Sequence, residues 1–142
     1  MNDKLLEYVQ AWLYKAASDM KNAEIIMSAD DESPPLDTVC FHCQQASEKY
    51  LKAYLIYQNR LFQNSHNLAD IVEACMQVDP AFTLIQRKAE TLTPYAVEVR
   101  YPDDFYIPTR QEAEESLTIA IEIREFILAR IDIGNGVREN SK

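Results

Sequence analysis

The side chains best suited to chemistry lie together in Phe41-His42-Cys43-Gln44-Gln45-Ala46-Ser47-Glu48-Lys49-Tyr50-Leu51-Lys52. At helical spacing, Val39, Cys43, Ala46, Tyr50, Ala53 and Tyr57 share one face. His42, Gln45, Glu48, Lys49 and Lys52 gather on the opposite arc, an imidazole, an amide, a carboxylate and two ammonium groups. Such an arc is ordinarily a solvated face, and that is the expectation here. Its functional alternative is a groove wall that contacts a phosphate or a partner's polar surface. Glu48 and Lys52 form an i,i+4 pair in the favourable order, worth only about 0.2–0.5 kcal/mol on an exposed helix. Gln44 and Gln45 project roughly 100° apart, so one partner is not expected to engage both. His42, one step from the packing stripe, reads as a hydrogen-bonded bundle residue.

A second constellation is Arg100-Tyr101-Pro102-Asp103-Asp104-Phe105-Tyr106-Ile107-Pro108. Arg100 beside Asp103 and Asp104 suits a phosphate clamp held by carboxylates, or a local ion pair that pins a proline-shaped loop. Tyr101, Phe105 and Tyr106 suit base stacking, or the plugging of a bundle end or subunit seam. Three cysteines form no disulfide framework, and Cys40-x-x-Cys43 has no second pair. Buried structural thiols are expected, with no metal site and no cofactor.

These groups must be positioned by helices. The first helix is expected from about residue 3 to 27, with Leu5, Val9, Trp12, Ala16, Ala23 and Met27 as its stripe. Charge and a double proline, Pro34-Pro35, break it. The second runs from about 36 to 58. A polar connector at 59–65 precedes a short third helix, capped by Ser65 or Asn67. Asp79-Pro80 starts a fourth, which kinks at Pro94 or ends at Thr93. Thr109-x-x-Glu112 is a capping box that opens the last.

With 142 residues the chain reads as one domain over 1–131 and a flexible tail over 132–142. Its 2 glycines both lie at 134 and 136, too few and too late for the turns of a β-rich fold. The expected class is all-α, an up-and-down helical bundle of four long helices plus one short helix. A net charge of −9 argues against DNA binding, although a local basic groove remains open. No apolar run approaches a membrane span and no secretory leader stands out, so a cytoplasmic location without membrane contact is expected.

Four features in order resemble the HEPN domain family, prokaryotic helical domains found beside minimal nucleotidyltransferases. They are Trp12 with Ala16, Ala17, Asp19 and Met20; Phe41-His42-x-Gln44-Gln45-Ala46-x-Glu48-Lys49-x-Leu51-Lys52-Ala53; His66-Asn67-Leu68; and Arg100-Tyr101-Pro102-Asp103. Together they cover roughly residues 5 to 131. The resemblance implies a bundle that often dimerises and nucleotide- or RNA-related chemistry.

Active members resembled here are metal-independent ribonucleases, often toxins silenced by a nucleotidyltransferase antitoxin. Their signature is Arg, four to six residues, then His, before the final helix. Arg100 holds the corresponding place, yet no His follows it, and Tyr106 is a poor proton shuttle near neutral pH. Only Arg60 and His66 fit the spacing, in a different connector. His66 also has a plain use, as a capping or interhelical hydrogen-bonding residue. The leading expectation is therefore a nucleotide- or partner-binding module. It would act as a homodimer or with a nucleotidyltransferase-like partner, through Gln45, Lys49, Lys52, Arg100, Tyr101 and Asp103. The enzymatic alternative is a ribonuclease toxin using Arg60 and His66. The third is a structural dimerisation protein whose 101–106 loop forms an interface.

Overall fold

The computed structural model describes residues 2–62, 65–96 and 107–132. Among them are five α-helices and no strand: α1 Asp3–Ser28, α2 Leu36–Tyr57, α3 Leu68–Val78, α4 Thr83–Leu92 and α5 Arg110–Leu128. The all-α bundle expected from the near-absence of glycine is what forms. The 101–106 loop and the proposed tail beyond 132 lie outside the described residues.

Local chemistry sets the boundaries. Asn2 caps α1 by accepting from the Lys4 and Leu5 amides, and Asn67, rather than Ser65 or His66, caps α3 by accepting from Ala69. Asp79 accepts from the Ala81 amide, and Pro80 opens a single 3-10 turn that leads into α4. Pro94 ends α4 rather than kinking it, because the last helical residue is Leu92 and Thr93–Tyr95 tighten into another 3-10 turn. Thr109 and Glu112 exchange side-chain and backbone bonds of 2.9 and 3.1 Å, completing the capping box of α5.

The exit from α2 fixes the path of the connector. Asn59 adopts φ 55°, in the left-handed region. Its amide donates to the Ile56 carbonyl at 2.9 Å and the Arg60 amide donates to Leu55 at 2.8 Å. That pair of bonds is a Schellman ending, normally built on glycine and here on asparagine, the next most tolerant residue. The turn reverses the chain so that Phe62 packs edge-on to Trp12 of α1, with ring centroids 6.1 Å apart.

Helix α2 is the central element, packed against α1, α5 and α3. Its stripe from Val39 to Ala53 is buried as expected, and so are Leu51, Leu55 and Ile56 on its other side. The expectation that the polar arc is a solvated face is therefore corrected. Within the arc, Glu48 and Lys52 are 4% and 3% exposed and His42, Gln45 and Lys49 are half-buried, and the neighbouring Gln44 is fully buried. Trp12 of α1 and Phe62 and His66 of the connector cover Glu48 and Lys52, while His42 and Lys49 face Asp19 of α1.

Replacing Asn59 by Val tests the turn: the left-handed conformation costs a β-branched residue roughly 1–2 kcal/mol. Chemical denaturation should show that loss, whereas Asn59→Gly should match or exceed wild type. Equal midpoints for Val and Gly would show that the exit conformation is unimportant.

Candidate functional site

Glu48 is the hub. One carboxylate oxygen, Oε2, accepts from Lys52 Nζ at 2.9 Å. The other, Oε1, accepts from Gln44 Nε2 at 3.2 Å. His66 Nδ1 lies 2.9 Å from Oε1 and 3.1 Å from Oε2. Burial alone would raise the Glu48 carboxyl. Hydrogen bonds from Lys52, His66 and Gln44, together with the Lys52 charge, outweigh it and hold the group below the usual carboxylate range.

An ionised carboxylate only accepts, so His66 Nδ1 carries a proton in this contact. Nε2 is then the nitrogen left for acid–base or hydrogen-bonding work, on a side chain that is 60% exposed. Gln44 Nε2 also donates to the His66 carbonyl at 3.2 Å, so α2 holds this residue by backbone and ring together. Gln45 Nε2 donates to Gln44 Oε1 at 2.8 Å. The two amides thus act in series: Gln44 alone touches Glu48 and the His66 carbonyl, and Gln45 reaches them only through Gln44.

Lys52 is held by more than its carboxylate. Its Nζ lies 5.8 Å from the Trp12 ring centroid and 5.4 Å from that of Phe62, within the range of cation–π attraction. The Glu48–Lys52 pair is accordingly a buried ion pair, not the exposed helix pair read from its spacing.

A second set repeats the pattern at the α1–α2 seam. His42 Nδ1 contacts Asp19 Oδ1 at 2.8 Å, and Lys49 Nζ bonds the other Asp19 oxygen. His42 is thus a hydrogen-bonded bundle residue, as its position suggested. Arg60 is exposed on the connector just after the Schellman turn. Arg100, Tyr101 and Asp103 lie outside the described residues. Among the sequence-proposed residues, Gln45, Lys52 and His66 join one network, and Lys49 joins the other.

Sequence reasoning missed Asp19, Gln44 and Glu48 as site-building residues. A signal existed: Leu51, Leu55 and Ile56 punctuate the polar side of α2, as a helix covered on both sides requires. The cysteines offer nothing reactive. Cys40, Cys43 and Cys75 are buried and unbridged. Burial pushes the thiols of Cys43 and Cys75 up to about 12. Among the described residues, no group of three His, Cys, Asp or Glu side chains could hold a metal ion. Among them also, no helix is long and apolar enough to cross a membrane.

A helical bundle whose central helix carries a buried amide–carboxylate–lysine network defines the class of protein. The HEPN domain family profile matches residues 9–131, and the chain belongs to that family. It is also similar to an archaeal HEPN homologue of known crystal structure, with 25% sequence identity and a TM-score of 0.67. The superposition covers 87% of this chain and 98% of that one. No curated protein matches the chain significantly. Membership supports a nucleotide- or RNA-related module.

Removing one partner of a buried ion pair costs roughly 3–5 kcal/mol, so Lys52→Met should destabilise the fold by that order. Adding Glu48→Gln should recover part of the loss, as a double-mutant cycle would register. The native Glu48 carboxyl titrates below its unfolded value of about 4.3. Its contribution is therefore complete above that pH and is lost as pH falls through the lower native value. Urea titrations across that range should give a shallower acid decline for Glu48→Gln than for wild type.

Proposed function

We propose that the chain is a HEPN-type nucleotide- or RNA-phosphate-binding module that works as a homodimer or with a nucleotidyltransferase-like partner. The carrying observation is His66: its ring is gripped through Nδ1 by a buried carboxylate while most of the side chain stays in solvent. A ring oriented this way offers Nε2 to a phosphate oxygen or a ribose hydroxyl without first having to be ordered. Arg60, exposed on the same connector, supplies a planar cation for the phosphate.

Within this reading, Lys52 acts through Glu48, because its ammonium is enclosed by the carboxylate and two rings. Lys49 is less buried and remains a candidate for direct contact once its pairing with Asp19 is shared. Gln45 acts through Gln44. Arg100, Tyr101 and Asp103 extend the reading by sequence alone, as a phosphate clamp with a stacking ring.

The same histidine favours a second reading, the metal-independent ribonuclease. Neutral His66 would take the proton of a ribose 2′-OH through Nε2 as that oxygen attacks the adjacent phosphorus. A 2′,3′-cyclic phosphate forms, the bond to the 5′-oxygen breaks, and that oxygen takes up a proton. Arg60 would stabilise the phosphorane charge. Glu48 would keep Nδ1 protonated and steady the imidazolium.

Calorimetric titration with ATP, GTP and short RNA tests the first reading. Binding by wild type, weakened about tenfold by His66→Ala and by Arg60→Ala, is the expected result, equivalent to one charge-assisted contact each. Absence of binding by all three ligands would sink it. For the second reading, RNA is incubated with the protein in chelator. Cleavage that falls by a factor of about 10²–10⁴ in His66→Ala supports it, and cleavage at full rate in that variant rules it out.

A further inference from the structure

An open groove of about 310 Å³ lies between the connector and α3. Leu61, Phe62, Ile71 and Ala74 make it apolar, and Ser65, Asp70, Glu73 and Gln77 line the rest. Among the described residues, no lysine or arginine contributes to it. Leu61 is 99% exposed, the most exposed of the large hydrophobic side chains among the described residues. Leu61 is contiguous with Phe62, Ile71 and Ala74, so its exposure extends an apolar patch that a partner could cover.

We infer that this groove docks a cationic, amphipathic segment of a partner protein, with an aliphatic side chain in the recess and lysine or arginine against Asp70 and Glu73. Charge decides the occupant. Among the described residues of the lining, both ionisable groups are carboxylates, so a phosphate-bearing ligand is repelled and a basic segment attracted. At this groove a second copy of this chain, with a net charge of −9, is a poor source of the basic segment, so a homodimer would form through another face. The volume sits near the lower end of ligand-pocket sizes, roughly 300–1,000 Å³, which suits one or two anchoring side chains better than a whole cofactor. Ser65 Oγ reaches Asp70 only at 3.5 Å, leaving that carboxylate available to a stronger donor. Phe62 is shared between this groove and the aromatic cover of Lys52, so an occupant would rest against the wall of the Glu48 network.

The inference rests on the reading of the chain as a partner-binding module and not on nucleotide affinity at His66. The probe is a synthetic peptide of alternating leucine and lysine, with a leucine–glutamate peptide as control, followed by fluorescence anisotropy and amide chemical shifts. The expected result is binding of the basic peptide only, with shift changes concentrated at Leu61, Ser65, Asp70, Glu73 and Gln77. Asp70→Lys with Glu73→Lys should weaken it by about tenfold or more. Glu114→Lys with Glu115→Lys, the same charge change on exposed positions of α5, should leave it unaltered. Equal weakening by both pairs, or shifts spread elsewhere, would reduce the effect to net charge and overturn the inference. So would light scattering that shows a dimer dissolved by Leu61→Asp, since the groove would then hold a second copy. A nucleotide titration of Leu61→Ser separates the two readings. Peptide binding lost with nucleotide binding kept supports a distinct docking surface, and loss of both overturns it.

Discussion

A lysine and a glutamate without solvent are the constraint around which this bundle is arranged. Burying either charge alone would cost several kcal/mol, and their mutual attraction repays that only when the remaining valences are filled. Here they are filled from three directions. α2 itself supplies Gln44, α1 supplies the Trp12 ring, and the connector supplies Phe62 and His66. The connector completes what α2 and α1 leave unfilled: His66 bonds the Glu48 carboxylate and the Phe62 ring closes over Lys52. An apolar pair at 48 and 52 would fold as well or better, but it would give His66 no reason to sit in one orientation.

The two carboxylate–histidine–lysine sets differ in what they join. Asp19, His42 and Lys49 tie one helix to another across a seam, where all three side chains are largely covered. That set reads as a rivet between α1 and α2. Glu48, Lys52 and His66 tie a helix to a connector, and the histidine stays mostly in water. Similar chemistry thus joins covered side chains in one place and leaves an imidazole exposed in the other. The difference comes from topology, not from residue type.

The helices were legible because helix signals are local. Asn67, Asp79-Pro80 and the Thr109–Glu112 box each act within four residues, and each works in the structure as its type requires. Pro94 was ambiguous between kink and stop for a physical reason: a proline removes one bond, and neighbours decide whether the helix resumes. The site was less legible. Periodicity placed Glu48 and Lys52 on a polar arc, and arcs are usually wet. Their burial depends on a connector that returns across them, which no spacing within α2 encodes. The interleaved Leu51, Leu55 and Ile56 were the one local clue. The pairing of Glu48 with His66, 18 residues apart, had no sequence signature at all.

Connectors are usually the soft part of a domain, and function on a connector needs something to stiffen it. The described residues of this one are held near both of its ends. The Schellman turn at Asn59 sets its departure from α2, and the Asn67 cap sets its arrival at α3. Between them, Phe62 is anchored on Trp12 and the His66 carbonyl on Gln44. Each restraint removes freedom that a ligand would otherwise have to remove on binding. Placing the exposed imidazole between two such anchors therefore favours recognition by a preset group over recognition by a loop that orders late. It also explains why the hub is a carboxylate. A neutral amide at 48 would hydrogen-bond His66 but would specify neither its tautomer nor, through Lys52, the position of the aromatic wall beside it.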